Sequence, residues 1–458
     1  MISARRLALL AGVAVAAAFA APSSAGAPAT FGSGVPSFVT SAAPDSLVEA
    51  GNAGEPSLGI SWKSGNAFYM SGSSTYKLHV DDRATPPAIS WYDVSSPYSL
   101  FNVDPILATD PATGITFAGG DDTACAVMSQ TSDDGESWAS ALPCTGVVDH
   151  PAVGVGPFAG PPPLGASGPV AAYFCQQYPL ADQCSRSIDG GATWSPSVPV
   201  RGCLGLFGHI QVAPNGTAYV PGRECYSGGD LFSGTVGVGG FLSKDNGLTW
   251  NSYAIPGATY ASRGFDPSVA IGRDGVVWQT WSRDGDAHPV VALSGDSAAH
   301  WSKPVDLAAT VDPPITGSSF PTMVAGGPGR AAVAYLGTRH QPATGTSPYD
   351  DKLAVWQLYV STTYDGGQTW TTVQATSDPV QLGPISDGGV AATDTRNLLD
   401  FIGAGVTRDG RVMVGFADGC TDRRHCTEPD AKPTTSTDAY ATVAYQATGR
   451  GLFEEFDR

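Results

Sequence analysis

Apolar and polar residues alternate along most of this chain in short runs that turn residues separate. The clearest example is residues 265–281, FDPSVAIGRDGVVWQTW, where two alternating apolar segments flank an Asp-Gly turn. Such period-2 patterns predict β-strands joined by hairpins, because successive side chains of a strand point to opposite faces. Beyond the N-terminal 25 residues, no segment of helical length shows a 3.6-residue apolar period. The pattern therefore predicts an all-β protein.

Seven segments begin in the same way, with a polar residue, usually a proline, and then an alternating apolar strand. They start at Glu55, Asp104, His150, His209, Phe265, Phe320 and Asp400. Seven units of about four strands each are the signature of a seven-bladed β-propeller. We expect one such propeller over residues 51–458.

A second repeat is an octapeptide with the form Ser/Thr-x-Asp-x-Gly-x-Ser/Thr-Trp. It occurs at residues 131–138, 187–194, 243–250 and 363–370, and a degenerate copy without the glycine occurs at 294–301. The aspartate is expected to cap backbone amides of a hairpin turn, the glycine to adopt a positive φ, and the tryptophan to pack between sheets. These aspartates are therefore interpreted as structural residues.

The octapeptide resembles the Asp-box, or bacterial neuraminidase repeat, and the chain resembles the sialidase-like β-propeller superfamily. That resemblance implies a propeller from about residue 50 to 450, with the six-bladed sialidase type as the alternative to seven blades. It also implies a glycan-directed function, since the superfamily contains sialidases, other glycosidases, lyases and non-catalytic propellers. The chain departs from sialidases in lacking an Arg-Ile-Pro motif.

The N-terminus has the order of a secretory signal peptide. Two arginines precede an apolar run from residue 7 to 21, and small residues follow it, so residues 1–25 are predicted to be removed on export. The last repeat has no octapeptide, so residues 26–50 could supply a strand that closes the ring. Secretion to the extracellular space, with no membrane span, is the expected localisation.

The eight cysteines form four pairs of near neighbours, which in an exported chain predicts disulfides rather than a zinc site. The pairs are Cys125 with Cys144, Cys175 with Cys184, Cys203 with Cys225, and Cys420 with Cys426.

Composition removes several other classes of protein. The net charge of −18 disfavours nucleic acid as a partner, and 42% hydrophobic residues with ten Trp exclude wholesale disorder. Charged residues make up only 14% of the chain, beside 57 Gly and 36 Pro, which excludes a coiled coil. A closed propeller exposes few strand edges, so a monomer is expected.

Propeller geometry brings the start of every inner strand and the end of every second strand to one face. The first group contains Glu55, Asp104, Asp149, His150, His209, Asp266, Ser319 and Asp400. The second group contains Asp121, Asp122, Gln176, Gln177, Arg223, Glu224, Arg283, Asp284, Arg339, His340 and Asp418. We expect these side chains to surround the channel mouth.

Within this set, Arg223, Arg283 and Arg339 occupy equivalent positions in three consecutive units and could clamp a carboxylate. Asp104 and Asp266 are the preferred acid/base candidates, and Glu55 is a further catalytic candidate. The resemblance implies a tyrosine nucleophile, for which Tyr335, Tyr226 and Tyr178 are candidates. His150, His209 and Asp400 are expected to bind substrate. Capping of turns and local ion pairs are the structural alternative for each of these residues.

The sequence thus predicts a sialidase-like glycoside hydrolase acting on an acidic or neutral glycan at the channel mouth. A polysaccharide lyase on the same fold and a non-catalytic propeller that binds a glycan or a protein remain the alternatives. No cofactor is expected. Asp81 with Asp82, or Asp284 with Asp286, could hold a structural calcium ion, but no EF-hand spacing supports such a site.

Overall fold

The computed structural model of the protein is a seven-bladed β-propeller, which confirms the predicted fold. The structure describes residues 34–457 apart from 100–103, 122–125, 142–148, 178–181, 262–264, 387–395, 421–425 and 427–438. The predicted signal peptide lies outside the described residues, as do Asp122, Cys125, Cys144 and Tyr178.

Blades 1 to 3 are four-stranded antiparallel sheets whose strands follow chain order from the channel outward. Blade 1 contains β2 (Ser57–Ile60), β3 (Ala67–Ser71), β4 (Ser74–Asp81) and β5 (Ala88–Asp93). Blade 2 contains β6 (Ile106–Thr109), β7 (Thr116–Asp121), β8 (Ala126–Thr131) and β9 (Ala139–Ala141). Blade 3 contains β10 (Asp149–Pro157), β11 (Val170–Gln177), β12 (Gln183–Ser187) and β13 (Val198–Pro199).

Blades 4 to 6 follow the same plan, with one additional strand in blades 4 and 6. Blade 4 contains β14 (Cys203–Phe207), β15 (Gln211–Val212), β16 (Ala218–Tyr226), β17 (Val236–Ser243) and β18 (Asn251–Ala254). Blade 5 contains β19 (Ser268–Ile271), β20 (Val277–Ser282), β21 (Pro289–Ser294) and β22 (Val305–Asp306). Blade 6 contains β23 (Gly317–Ala325), β24 (Ala331–Thr338), β25 (Val355–Thr363), β26 (Thr371–Gln374) and β27 (Gln381–Leu382).

Blade 7 joins the two ends of the chain. Its outermost strand is β1 (Ser37–Ala42), which pairs antiparallel with β30 (Tyr440–Thr448). The inner strands of this blade are β28 (Gly403–Val406) and β29 (Val412–Asp418). The N-terminal segment therefore closes the ring. Blades 1 to 6 are each built from consecutive strands, whereas blade 7 combines a strand from the N-terminal segment with three from the C-terminal segment.

The described residues contain three short 3₁₀ helices, at Ala308–Thr310, Pro348–Asp350 and Glu454–Phe456. Within the described residues, no helix has the length and apolar character that crossing a membrane requires.

The octapeptides form the turns between the third and fourth strands, as the sequence predicts. In blade 3, the Ser187 hydroxyl donates to Asp189 (2.8 Å), and Asp189 accepts from both the N–H and the hydroxyl of Thr193 (2.9 and 2.6 Å). Gly191 adopts a φ of 89°. In the degenerate copy, His300 replaces the threonine as partner of Asp296 and Ala298 holds the positive φ. The conserved pattern of hydrogen bonds assigns these aspartates to turn capping.

The octapeptide tryptophans pack against aromatic rings of the preceding blade. Trp194 lies edge-on to Phe117 of blade 2 with ring centroids 6.2 Å apart, and Trp250 lies edge-on to Tyr173 of blade 3 at 5.9 Å. Aromatic pairs of this kind contribute about 0.5–1.5 kcal/mol beyond the burial of their area. The repeat therefore stabilises the contacts between blades.

The described residues contain three disulfides, and each is one of the predicted pairs. They join Cys175 to Cys184, Cys203 to Cys225, and Cys420 to Cys426. The first two cross-link neighbouring strands at directly paired positions, next to the channel face of blades 3 and 4. Disulfides of this number are a feature of proteins that fold in an oxidising compartment.

Candidate active site

The inner strands of all seven blades surround a central channel, and polar residues precede these strands at one end of it. The backbone at several of these positions is left-handed, with φ of 57° at Glu55 and 53° at His150. Phe265 and Leu399 also have positive φ directly before Asp266 and Asp400, and Phe320 has it within β23, where the pairing with β24 is irregular. Non-glycine residues adopt this conformation at a cost, so surrounding contacts must hold it.

We call Glu55, Asp104, His150, Asp266, Arg396 and Asp400 the mouth cluster, because they meet where the inner strands begin. The cluster draws these six residues from blades 1, 2, 3, 5 and 7. Five of them are residues that the sequence places at the channel mouth.

One half of the mouth cluster is a set of carboxyl groups beside an arginine. The guanidinium of Arg396 donates to both carboxylate oxygens of Asp400, at 2.8 and 3.0 Å. Glu55 is 2% exposed, and its burial, the charges of Asp400 and Asp104 and a hydrogen bond with Asp400 raise its pKa well above the ordinary value, against the opposing charge of Arg396. These causes favour the neutral form of the Glu55 carboxyl, which lies beside the aspartate that Arg396 binds.

The other half of the mouth cluster is an ion pair. Nε2 of His150 lies 2.7 Å from Oδ2 of Asp266 and 3.0 Å from the Phe207 carbonyl oxygen, and the His150 backbone N–H donates to Asp104 (3.2 Å). Burial alone lowers the pKa of His150, but the charge and hydrogen bond of Asp266, with the charges of Asp400 and Asp104, outweigh burial and raise it to about 9. His150 is therefore an imidazolium at neutral pH.

His209 lies beside this pair without joining it. Its ring centroid is 4.4 Å from that of Phe401, and its Nε2 is buried with no hydrogen-bond partner among the described residues. Burial, together with repulsion from His150, lowers its pKa to about 4. His209 is therefore a neutral imidazole next to a charged one.

Two residues near the channel mouth were not predicted from the sequence. Asp182 is 1% exposed, and its pKa rises to about 8 because burial and the charge of Glu224 outweigh the attraction of His150. Arg396 was missed as well, although its spacing of four residues before Asp400 is a signal for a local ion pair.

The three arginines proposed as a clamp have separate partners in the structure. Arg283 binds Asp286 and Asp306 of its own blade, each at 2.5 Å. The guanidinium of Arg339 lies over the ring of Tyr359 (5.1 Å to the centroid), and that of Arg223 lies 5.8 Å from the Tyr260 ring. The described contacts therefore do not bring these arginines together, because each side chain is directed to a neighbour within or beside its own blade.

Tyr335 does not have the position that a nucleophile needs. It is fully buried in the core between blades 5 and 6, where its ring stacks on Tyr359 and its hydroxyl lies 3.3 Å from Ser361. Burial raises its pKa further. Tyr335 lies inside β24, all of whose residues are buried, and three residues before the strand ends at Thr338. Tyr226, at the end of β16, instead contacts the exposed ring of Phe232.

The structure offers one group of residues with the spacing of metal ligands among those described. Atoms of Asp286, His288 and Asp306 lie within 4.8 Å of one another. The guanidinium of Arg283 binds both aspartates of this group, so a protein cation already neutralises it. Asp82, the other calcium candidate, accepts a hydrogen bond from Tyr445 and lies 3.5 Å from Arg411. These donor sets are satisfied within the protein.

The central channel has a volume of about 460 Å³ and opens onto the mouth cluster, since His209 and Asp266 line it. Its walls are formed by aliphatic side chains of the inner strands and by polar ones such as Thr109 and Gln211. The inner strands approach closely where a glycine faces the next blade: a Cβ at Gly405 would lie 2.3 Å from Ile60. Because Asp266 belongs to the mouth cluster and also lines the channel, the channel and the mouth cluster are continuous.

No protein-family model matches the chain, and no curated protein is detectably similar to it in sequence. Solved propeller structures are similar in fold. Aleuria aurantia lectin is 11% identical, with a TM-score of 0.43 over 73% of this chain and 98% of the lectin. A Hadza microbial sialidase is 13% identical, with a TM-score of 0.42 over 84% and 73% of the two chains. A GH74 xyloglucanase from Xanthomonas campestris is 13% identical, with a TM-score of 0.47 over 83% and 53%. These three proteins differ in activity, and the likeness extends to the propeller fold alone.

Proposed function

We propose that this chain is a secreted glycoside hydrolase whose active site is the mouth cluster. The observation that carries the proposal is the contrast between Glu55 and Asp400. Burial and neighbouring negative charges keep Glu55 protonated, while Arg396 binds Asp400 through two hydrogen bonds. A carboxylic acid whose pKa is raised is what glycosidic bond cleavage needs to protonate the leaving oxygen.

Glu55 is the general acid in this proposal, and Asp104 is the second carboxyl. Asp104 is partly exposed, and one of its oxygens accepts from the His150 backbone N–H. It would attack the sugar directly or activate water, the two roles that a second carboxyl serves in glycosidases. His150 and Asp400 position these groups through the contacts described above. Asp266 positions His150.

A neutral glycan is a better substrate for this site than an acidic one. The two cations of the mouth cluster, Arg396 and His150, are each bound to an aspartate. A sialic acid carboxylate would compete with those aspartates for them. The exo-α-sialidase activity suggested by the sequence resemblance is therefore the less favoured form of the proposal.

The second candidate is a propeller that binds a glycan without cleaving it. The burial of the mouth cluster favours this alternative, because Glu55 and Asp266 are only 2% and 4% exposed. In that case the partly exposed Asp104 and His209 would contact the ligand, and the buried charges would hold the strand ends in place.

Hydrolysis of a panel of fluorogenic glycosides by the purified mature chain tests the proposal. The panel contains neutral hexosides, N-acetylhexosaminides and an α-sialoside. We expect release from at least one neutral glycoside, and a loss of about 100-fold or more in Glu55→Gln and Asp104→Asn. Glu136→Gln and Asp378→Asn are the matched controls, because both residues are exposed and outside the mouth cluster.

The same panel separates the two candidates. If no glycoside is cleaved but a glycan is bound, and Asp104→Asn weakens that binding while Asp378→Asn does not, the binding function holds and the hydrolase proposal is wrong.

A further inference from the structure

The central channel is lined by aliphatic side chains of the inner strands together with polar residues such as Thr109, Gln211 and Thr322. The inner strands of six blades contribute Leu58, Val155, Val212, Ile271, Val324 and Ala404 to the lining. Leu58, Val212, Ile271 and Ala404 keep part of their surface accessible although they lie on innermost strands. Apolar surface of this kind is removed from water favourably when an apolar ligand covers it.

The volume is that of a ligand site. At about 460 Å³, the channel is within the range of roughly 300–1,000 Å³ that small-molecule sites occupy. The lining runs from the starts of the inner strands, at His209 and Asp266, to strand ends at Ile271 and Val406, so the space follows the length of these strands and suits an extended chain.

The two ends of the channel differ in polarity. At the mouth, Asp266 and His209 line the channel, and Phe401 contacts the rings of both His150 and His209. Phe401, which lines the channel, directly follows the acidic residue Asp400 of the mouth cluster, so the surface changes from apolar to acidic between two neighbouring residues. A ligand that spans this boundary must itself be amphiphilic.

The opposite end is bordered by aromatic rings and a neutralised cation. Trp62 and Phe453 pack edge-to-face with ring centroids 5.6 Å apart, and the guanidinium of Arg273 lies 3.4 Å from the Phe453 ring centre. Arg273 also binds Glu455 at 2.6 Å. This end suits the tip of an apolar chain and offers no free charge to a second polar head, since the Arg273 charge is already paired.

We propose that the channel binds the apolar tail of an amphiphilic glycoside while the sugar head occupies the mouth cluster. The identity of the head as a sugar rests on the proposed function, whereas the binding of an apolar tail does not. An uncharged head is required because Arg396 and His150 are both paired with aspartates, so an anionic head such as a fatty acid carboxylate has no free cation to bind.

Tryptophan fluorescence provides a direct test, because Trp62 lies at the far end of the channel. Dodecyl maltoside with a brominated tail, used below its micellar concentration, should quench part of the emission of the wild-type protein. The quenching should be reduced in Trp62→Phe, whose reporter is missing. Calorimetry with unbrominated dodecyl maltoside, dodecanoate and maltose then measures how much the apolar tail and the sugar head each contribute to the binding affinity.

We expect one dodecyl maltoside to bind per chain, at least tenfold tighter than either dodecanoate or maltose. Ala404→Phe and Ala325→Phe fill the channel from two different blades and should each weaken binding at least tenfold. Ala88→Phe is the matched control, because Ala88 is exposed on the outermost strand of blade 1. Thermal melting of each variant shows that it is folded.

Absence of dodecyl maltoside binding, or binding that neither channel-filling variant weakens, would overturn the proposal. Equal affinity for dodecanoate would overturn the uncharged head. Binding of dodecyl maltoside and hydrolysis of the glycoside panel by the wild type are measured separately, which distinguishes the two proposals. If wild type binds the amphiphile but cleaves no glycoside, the channel proposal stands and the hydrolase proposal fails.

Discussion

The imidazole of His150 lies 2.7 Å from the carboxylate of Asp266, and this buried ion pair connects blade 3 to blade 5 across the channel mouth. Both side chains are less than a tenth exposed. Removing one partner of such a pair leaves the other buried without compensation, which is costly.

We therefore expect Asp266→Asn to lower the free energy of unfolding by about 3–5 kcal/mol. The comparison is Glu136→Gln, which weakens an ion pair with Lys77 at the surface and should cost about 1 kcal/mol or less. Chemical denaturation of the two variants measures the difference. Equal losses would show that the His150–Asp266 pair contributes no more than a surface pair.

The same ion pair predicts how stability depends on pH. The pKa of His150 rises from 6.5 to about 9 on folding, so the folded protein holds this proton more tightly than the unfolded chain. The resulting stabilisation is complete below pH 6.5 and is lost as the pH rises through about 9. Melting temperatures of wild type and His150→Gln across this range should converge toward alkaline pH. A constant difference between them would contradict the raised pKa.

His209 predicts a change on the acid side. Its pKa falls from 6.5 to about 4 on folding, so the unfolded chain binds this proton more readily and stability decreases as the pH falls between these values. His209→Gln should lose less stability than wild type between pH 6.5 and 4. Calorimetric melts at several pH values measure this, and parallel curves for the two proteins would be the contrary result.

Removal of β1 is expected to destabilise the propeller strongly. Without residues 34–43, blade 7 loses its outermost strand and β30 becomes an unpaired edge. A chain beginning at residue 34 retains β1 and serves as the control. Thermal melting should show a large decrease for the first truncation and none for the second; equal melting temperatures would mean that β1 is dispensable for ring closure.

The octapeptide aspartates should affect stability but not activity. Asp189→Ala removes the acceptor for the Thr193 N–H and hydroxyl and should cost about 1–2 kcal/mol. Glycan hydrolysis per folded molecule should be unchanged. A specific loss of activity in this variant would place the octapeptide turn in the site.

The repeat made the fold and most of the mouth cluster predictable. Polar residues at equivalent strand starts of a propeller must meet around its channel. The repeat alone therefore predicts that five residues lie close together, although it does not predict their contacts: Glu55, Asp104, His150, Asp266 and Asp400. The charges on these groups could not be predicted in the same way. The protonated state of Glu55 depends on its burial and on Asp400, both of which follow from packing rather than from local pattern.

The predictions that failed concern the burial and orientation of side chains, which the position of a residue in the repeat does not specify. Tyr335 is buried because it lies inside β24, whose residues are buried on both faces of the strand, rather than at the strand end. Arg283 turns toward Asp306, a residue on a non-adjacent strand that the repeat does not align with it. Asp182 lies outside both repeats, and its burial beside His150 has no sequence signal.

The rate of hydrolysis by Glu55→Gln, measured against Glu136→Gln over a range of pH, tests the central claim most directly. The account predicts a loss of about 100-fold or more in Glu55→Gln and wild-type behaviour in Glu136→Gln. It also predicts that wild-type activity decreases at alkaline pH, as Glu55 loses the proton that burial and Asp400 retain. A Glu55→Gln protein that cleaves the same glycoside at the wild-type rate, with the same pH profile, would contradict it.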